Sequence, residues 1–340
     1  MSNPLVSVLA SLAAGTRPDT DALAGALDAV LAGEASPAQT GALLMGLERI
    51  GVTAAEVAAG ARAMRAAMVP VPVSFPTVDV CGTGGDGSHT LNISTAVSFV
   101  LAGCGIKVAK HGNRAMSSKS GAADVLEALG VGLTGDPARL AAALEAAGVA
   151  FLFAQNHHPA MRHVAPVRRE LGFRTLFNLL GPLSNPAGAS RQLTGVYAPS
   201  RVLPQAEALR ELGCEAAWVV CGAGGLDEVA LHGPTTVAVL AGGRVESRTV
   251  VPEDAGIARA PIQALAGGDA AFNAAALTAL LAGTAGPYRD AVVLNAACAL
   301  VAVGAESDLT TAAARASTAL DSGAARAALA ALVTISRGSS

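Results

Sequence analysis

The run Asp79-Val80-Cys81-Gly82-Thr83-Gly84-Gly85-Asp86-Gly87-Ser88-His89-Thr90-Leu91-Asn92-Ile93-Ser94-Thr95 concentrates residues suited to holding an anion. An apolar, β-branched stretch delivers the chain into four glycines, and a helix start follows at Asn92 to Thr95. Glycines let a backbone approach a ligand closely and adopt positive φ. A helix start offers unpaired N–H groups and the positive end of a dipole. Thr90, Asn92, Ser94 and Thr95 add hydroxyl and amide donors, so a phosphate or diphosphate is well matched. Gly82, Gly84 and Gly87 satisfy the spacing of the dinucleotide fingerprint, but that motif needs an acidic residue about 20 positions on to hold a ribose diol. Here the next strand runs into Lys110-His111-Gly112-Asn113-Arg114, and no G-x-x-x-x-G-K-[ST] is present. Both nucleotide readings fall.

The loop Lys110 to Ser118 (Lys110, His111, Gly112, Asn113, Arg114, Ala115, Met116, Ser117, Ser118) supplies two cations, an amide and two hydroxyls before another helix start. In an α/β sheet, loops after neighbouring strands converge at the carboxyl edge. Two phosphate-seeking loops there suit one ligand with phosphate at both ends, a form that phosphoribosyl diphosphate has. Asp227 and Glu228, after Gly224-Gly225-Leu226, reach the same edge. Adjacent carboxylates are suited to Mg²⁺, which takes oxygen ligands and shares them with substrate phosphates, although such a pair alone is more often simply solvated. A fourth cluster runs from His157 and His158 through Arg162, His163, Arg168 and Arg169. Its histidines lack a metal spacing; a planar arginine fork there is suited to a substrate carboxylate.

These clusters need a scaffold. The first seventy residues read as helices, with capping boxes at Ser36 to Gln39 and Thr53 to Glu56. Val69-Pro70-Val71-Pro72 and Pro76 break the pattern and mark a boundary. Beyond it, strands are expected at Thr77 to Cys81, Ile106 to Ala109, Val149 to Phe153, Gln192 to Tyr197 and Ala216 to Val220. A hairpin is expected around Val237 to Val245, turning at Gly242-Gly243. Helices are expected at Ser94 to Ala102, Ser118 to Leu129 and Pro137 to Ala147, and the last sixty residues return to helix. Such alternation argues an α/β fold with a mostly parallel central sheet.

Composition sets outer bounds. The 340 residues are 52% apolar and only 3% aromatic, so the core is built of small side chains. A net charge of −3 and a pI of 6.1 give no general attraction to nucleic acid or an anionic membrane. Mean hydropathy is +0.48, yet the longest apolar stretch, Ala291 to Ala305, contains Asn295 and falls short of the ~20 residues that span a bilayer. Met1 to Gly15 has no Lys or Arg and makes a poor secretory signal. Five scattered cysteines read as reduced thiols of a cytoplasmic protein.

Taken together the motifs resemble the anthranilate phosphoribosyltransferase family. They are GTGGDG at Gly82 to Gly87, NIST at Asn92 to Thr95, KHGNR…SS at Lys110 to Ser118, HPAMRHVAPVRRELG at His158 to Gly172, FNLLGPLSNP at Phe177 to Pro186 and GLDE at Gly225 to Glu228. Their order holds over nearly the whole chain. The resemblance implies a helical domain at residues 1–72, to which 165–188 return, and an α/β domain at 75–164 and 189–340, with substrates meeting in the cleft between them. It implies transfer of the phosphoribosyl group of 5-phosphoribosyl 1-diphosphate to anthranilate in tryptophan biosynthesis, by a homodimer using two Mg²⁺ ions. By the same resemblance, Gly82, Gly85, Asp86, Thr90, Asn92, Ile93, Ser94, Thr95, Lys110 to Ser118 and the helix start at Ala122 hold the sugar diphosphate. Gly82, Asn113 and Arg168 contact anthranilate, Arg168 facing its carboxylate, and His111 and His158 line its access path. Ser94, Asp227 and Glu228 engage the metal. Ala122 replaces a frequent Ser, His157 a frequent aromatic residue, and His232 a small polar one. No general base is assigned. A pyrimidine nucleoside phosphorylase shares the architecture, but the KHGNR loop and the Asp227-Glu228 pair argue against it. A nucleic-acid-binding relative wants a basic groove that this slightly acidic chain lacks.

Overall fold

The computed structural model describes residues 4–115 and 119–338. Four helices come first: α1 (Pro4–Ala13), α2 (Thr20–Ala32), α3 (Pro37–Ile50) and α4 (Ala54–Ala66). Both expected capping boxes form, Ser36 with Gln39 and Thr53 with Glu56. Glu56 is fully buried, and Arg17 offsets its charge with bonds of 2.6 and 2.7 Å to its two oxygens. Leucines at helical spacing, among them Leu23, Leu27, Leu43, Leu44 and Leu47, close this bundle.

The α/β portion runs β1 (Val78–Gly82), α5 (Ile93–Gly103), β2 (Val108–Gly112), α6 (Ala122–Ala128), α7 (Pro137–Ala147), β3 (Val149–Phe153). Then come three short helices, α8 (Ala154–His157), α9 (Ala165–Leu171) and α10 (Leu176–Leu180). The sheet resumes with β4 (Arg191–Gly195), α11 (Val202–Glu211), β5 (Ala216–Gly222), β6 (Thr235–Ala241) and β7 (Arg244–Val250). Four helices close the chain: α12 (Ala270–Leu281), α13 (Pro287–Ala302), α14 (Leu309–Asp321) and α15 (Ala324–Arg337). The seven strands lie in the order β3-β2-β1-β4-β5-β6-β7. The first five are parallel, and β6 and β7 join as an antiparallel hairpin whose turn glycines, Gly242 and Gly243, have φ of 56° and 73°.

Two local expectations shift. The strand expected at Ile106 to Ala109 is displaced to Val108–Gly112, because Lys110 and His111 pair with Phe151 and Leu152 of β3. The helix expected from Ser118 begins at Ala122, because its capping carboxylate is Asp124, which accepts from the amides of Gly121 (2.9 Å) and Ala115 (3.1 Å).

The segment after α8 returns to the bundle: α9 packs on α3 and α10 on α4. Gly60 permits that approach, since a Cβ there would lie 3.1 Å from Leu180. The same apolar cluster continues through Val202, Ala206 and Leu209 of α11 onto Ala217, Val219, Ala238 and Leu240 of the sheet. The opposite face of the sheet carries the larger core, covered by α5, α7 and α13 to α15. Among the described residues no single helix is long and apolar enough to cross a membrane.

Candidate active site

Strand order reverses between β1 and β4, and ligands of open α/β sheets bind outside the carboxyl ends of the strands at such a point. Here Gly82 ends β1 beside Gly195, which ends β4. The 226–228 segment roofs the pair. A Cβ on Gly82 would overlap Asp227 Oδ2, and one on Gly195 would overlap the Asp227 carbonyl oxygen. Gly222 repeats the device, with the Glu228 carbonyl oxygen 2.6 Å from its would-be Cβ. The absence of three side chains thus seats two carboxylates over the switch point.

Both carboxylates dock on backbone amides. Asp227 Oδ2 accepts from Gly84 N–H at 2.6 Å, and Glu228 Oε1 accepts from Ser94 N–H at 3.0 Å at the start of α5. The Ser94 amide, expected to face a phosphate, is therefore occupied by a carboxylate of the chain itself, as is that of Gly84. Burial pushes both acids well above the usual carboxylate range; the neighbouring Asp86 adds to this for Asp227, and Asp227 for Glu228. Lys110, buried within β2, donates to the Val80 carbonyl (2.7 Å) and to Ser94 Oγ (3.3 Å) and favours the charged form of Glu228. Oxygen donors in negative excess, gathered beside a single lysine, fit a divalent cation such as Mg²⁺.

The remaining glycine-loop residues sort by exposure. Gly85 is exposed; Asp86 binds the amide and hydroxyl of Ser88; Thr90 bridges to Ala266. Ile93 and Thr95 are buried. Asn92 is held from the α/β side: Asn273 Nδ2 donates to its Oδ1 (2.9 Å), and Tyr288 OH donates to its carbonyl (3.2 Å). After β2, Asn113 and Arg114 are exposed. Arg114 is turned onto α6, bonded to Asp124 (2.8 Å) and Glu127 (2.5 Å), with its guanidinium 5.5 Å from the Phe153 ring centroid. Met116, Ser117 and Ser118 lie outside the described residues.

His111 and His158 come together, ring nitrogen to ring nitrogen at 3.1 Å, and both are buried. The Gly181 carbonyl, 3.0 Å from His111 Nδ1, assigns that proton, so His111 Nε2 accepts from His158 Nε2–H. Burial, then the facing imidazole, pulls His111 down to about 3. Burial, then His157, pulls His158 down to about 4. His157 itself bonds the Val69 carbonyl (3.0 Å), pinning the linker. On α9, Arg168 donates to Asn178 Oδ1 at 3.1 Å, and its Nε is buried without a partner. Arg168 makes no direct hydrogen bond to Gly82, Asn113, His111 or His158 among the described residues.

Sequence reading passes over four contributors. Asp79, fully buried under the glycine loop, accepts from His111 N–H (3.1 Å) and from Asn185 Nδ2 (2.7 Å); a carboxylate inside an apolar strand is its available signal. Arg174, between α9 and α10, donates to the Gly85 carbonyl and stacks 4.2 Å from the Tyr197 ring. These two residues also wall a cleft of 490 Å³ with Met45, Glu48, Arg49 and Phe173. No local signal marks Arg174 or Tyr197. The fourth is Asn178.

The chain is similar to known proteins over nearly its whole length. Residues 74–326 match the model of the glycosyl transferase family a/b domain, and residues 6–68 that of its helical bundle domain. The chain is 52% identical to an anthranilate phosphoribosyltransferase of Rhodopseudomonas palustris, covering 97% of this chain and 98% of that one. It is 55% identical to one of Phenylobacterium zucineum, covering 98% and 97%. The crystal structure of the Thermus thermophilus anthranilate phosphoribosyltransferase superposes with a TM-score of 0.92 at 44% identity, covering 98% of this chain and 100% of that one. The Saccharomyces cerevisiae enzyme in complex with PRPP and Mg superposes with a TM-score of 0.90 at 25% identity, covering 99% of each. With identity above one half sustained from the helical bundle to the last helices, the chain belongs to the anthranilate phosphoribosyltransferase family.

Proposed function

We propose that this chain transfers the phosphoribosyl group of 5-phosphoribosyl 1-diphosphate to the amine of anthranilate, giving N-(5-phosphoribosyl)anthranilate and diphosphate in tryptophan biosynthesis. The observation that carries this reading is the seating of Asp227 and Glu228 over the β1–β4 switch point, on the amides of the glycine loop and of α5.

The sugar diphosphate lies along Gly82, Gly85, Asp86, Thr90, Asn92 to Thr95, Lys110 to Ser118 and the start of α6 at Ala122. Backbone amides and Lys110 hold its phosphoryl oxygens, because they are fixed donors that need no reorganisation as charge develops. Ser94, Asp227 and Glu228 would hold magnesium, which would supply positive charge to offset that on the departing diphosphate. Two ions are supported by the divergence of the carboxylates, one toward Gly84 and the other toward Ser94. Arg168 pairs with the carboxylate of anthranilate, Gly82 and Asn113 contact the substrate, and His111 and His158 line its access path. The aromatic amine is weakly basic and therefore unprotonated at neutral pH, so positioning supplies much of the catalysis and no general base is assigned.

The helical unit comprises residues 1–72 with 165–188, and the α/β unit 75–164 with 189–340; the packing of α9 and α10 on α3 and α4 supports this division. A homodimer through the helical face accords with exposed Val6 on α1 and Met45 on α3. Five unpaired cysteines support a cytoplasmic setting.

The test is loss of anthranilate fluorescence with 5-phosphoribosyl 1-diphosphate and Mg²⁺, alongside calorimetry of the sugar diphosphate in magnesium buffer. Turnover with saturable binding is expected. Phosphorolysis of thymidine or uridine without reaction on anthranilate would replace this reading with a nucleoside phosphorylase.

A further inference from the structure

Arg168 carries a partly buried charge that no carboxylate neutralises among the described residues, and burial alone pulls its pKa down. Such a group is costly unless an anion arrives to pair with it. Its one side-chain hydrogen-bond partner among the described residues is an amide: Nη2 donates to Asn178 Oδ1 at 3.1 Å. That oxygen also accepts from the Thr175 N–H at 2.9 Å, so the first turn of α10 sets its position. Asn178 is the third residue of α10. At that position a carboxylate would accept the same two bonds and would also meet the positive end of the helix dipole. The chain nevertheless carries the neutral isostere. We propose that Asn178 is the positioning residue of the acceptor site: anchored on Thr175, its amide oxygen holds the plane of the Arg168 guanidinium and leaves the charge uncancelled for the substrate carboxylate. The inference rests on Arg168 receiving the carboxylate of anthranilate.

Asn178→Asp separates this role from a structural one. The acid keeps the cap, so the thermal midpoint is expected to hold or rise, and the KM for 5-phosphoribosyl 1-diphosphate is expected to stay within about twofold. The internal ion pair it makes with Arg168 must be displaced by substrate, so the KM for anthranilate is expected to rise about tenfold or more. Asn178→Ser, whose hydroxyl still caps Thr175 but is too short to reach Arg168, should raise that KM by a smaller factor. In a cycle with Arg168→Ala, which should itself raise the anthranilate KM, adding Asn178→Asp should cost little more. An unchanged anthranilate KM in both Asn178 variants, or full additivity with Arg168→Ala, would overturn the role of Asn178 while Arg168 stands. An unchanged KM in Arg168→Ala alone would remove the carboxylate reading and this inference with it.

Discussion

At the carboxyl edge of β1 and β4 the Asp227 carboxylate neighbours those of Asp86 and Glu228, and Lys110 is the cation that reaches Ser94 and Glu228 beside them. Around Arg168 the balance inverts: among the described residues the guanidinium has a neutral amide, that of Asn178, for company. One end lacks positive charge and the other lacks negative charge. A protein built only for stability would pair these groups internally. On the proposed reading, metal and substrate complete both imbalances, and each substrate has its own electrostatic address.

The comparison can be broken from either side. Replacing Asp227 and Glu228 by Ala should produce the largest effect, a loss of roughly a thousandfold in magnesium-dependent turnover. Because two repelling acids are removed, the metal-free protein should melt no lower than before; full turnover would remove the metal assignment. Arg174→Ala should come next. Without its bridge from the α9–α10 connection to the Gly85 carbonyl, the KM for the sugar diphosphate should rise about tenfold, with a smaller change for anthranilate. Equal changes for both substrates would show that Arg174 does not belong to one end.

The histidine pair gives a third test. Both folded pKa values lie below the unfolded value of about 6.5, so the unfolded chain takes protons first on acidification. Their contribution to stability is full above pH 6.5 and is lost as pH falls toward about 4 and about 3. The loss approaches about 1.4 kcal/mol per pH unit for each histidine. His158→Phe should flatten this acid limb in denaturant titrations between pH 7 and 4, and an unaltered slope would place the acid sensitivity elsewhere. Ala122→Ser should do least, lowering the KM for the sugar diphosphate by no more than about threefold through one added hydroxyl at the start of α6.

Much of the molecule is legible because local rules agree with the global fold. Glycine followed by a Ser/Thr-rich helix start marks a strand–loop–helix at β1 and α5. The pair Gly242-Gly243 marks the β6–β7 hairpin through its left-handed φ values. Where local rules mislead, tertiary context decides. Lys110 and His111 look like loop residues, yet pairing with β3 draws them into the sheet and buries both. The start of α6 moves because a carboxylate six residues after Ser118 caps a glycine, which no periodicity reveals. Asn178 meets Arg168 across two short helices, and Arg174 meets Gly85 across 89 positions; such contacts exist only after folding.

Gly82, Gly195 and Gly222 have a consequence for how this chain can change. A methyl group would collide with the Asp227 carboxylate at Gly82 and with the 227–228 backbone at Gly195 and Gly222, although none of the three glycines brings a functional group of its own. In a saturation library selected for tryptophan prototrophy, these three codons should therefore tolerate less than Asn113 or Arg114, which are exposed. Drift can trade one polar side chain for another around the cleft, but it has no substitute for empty space.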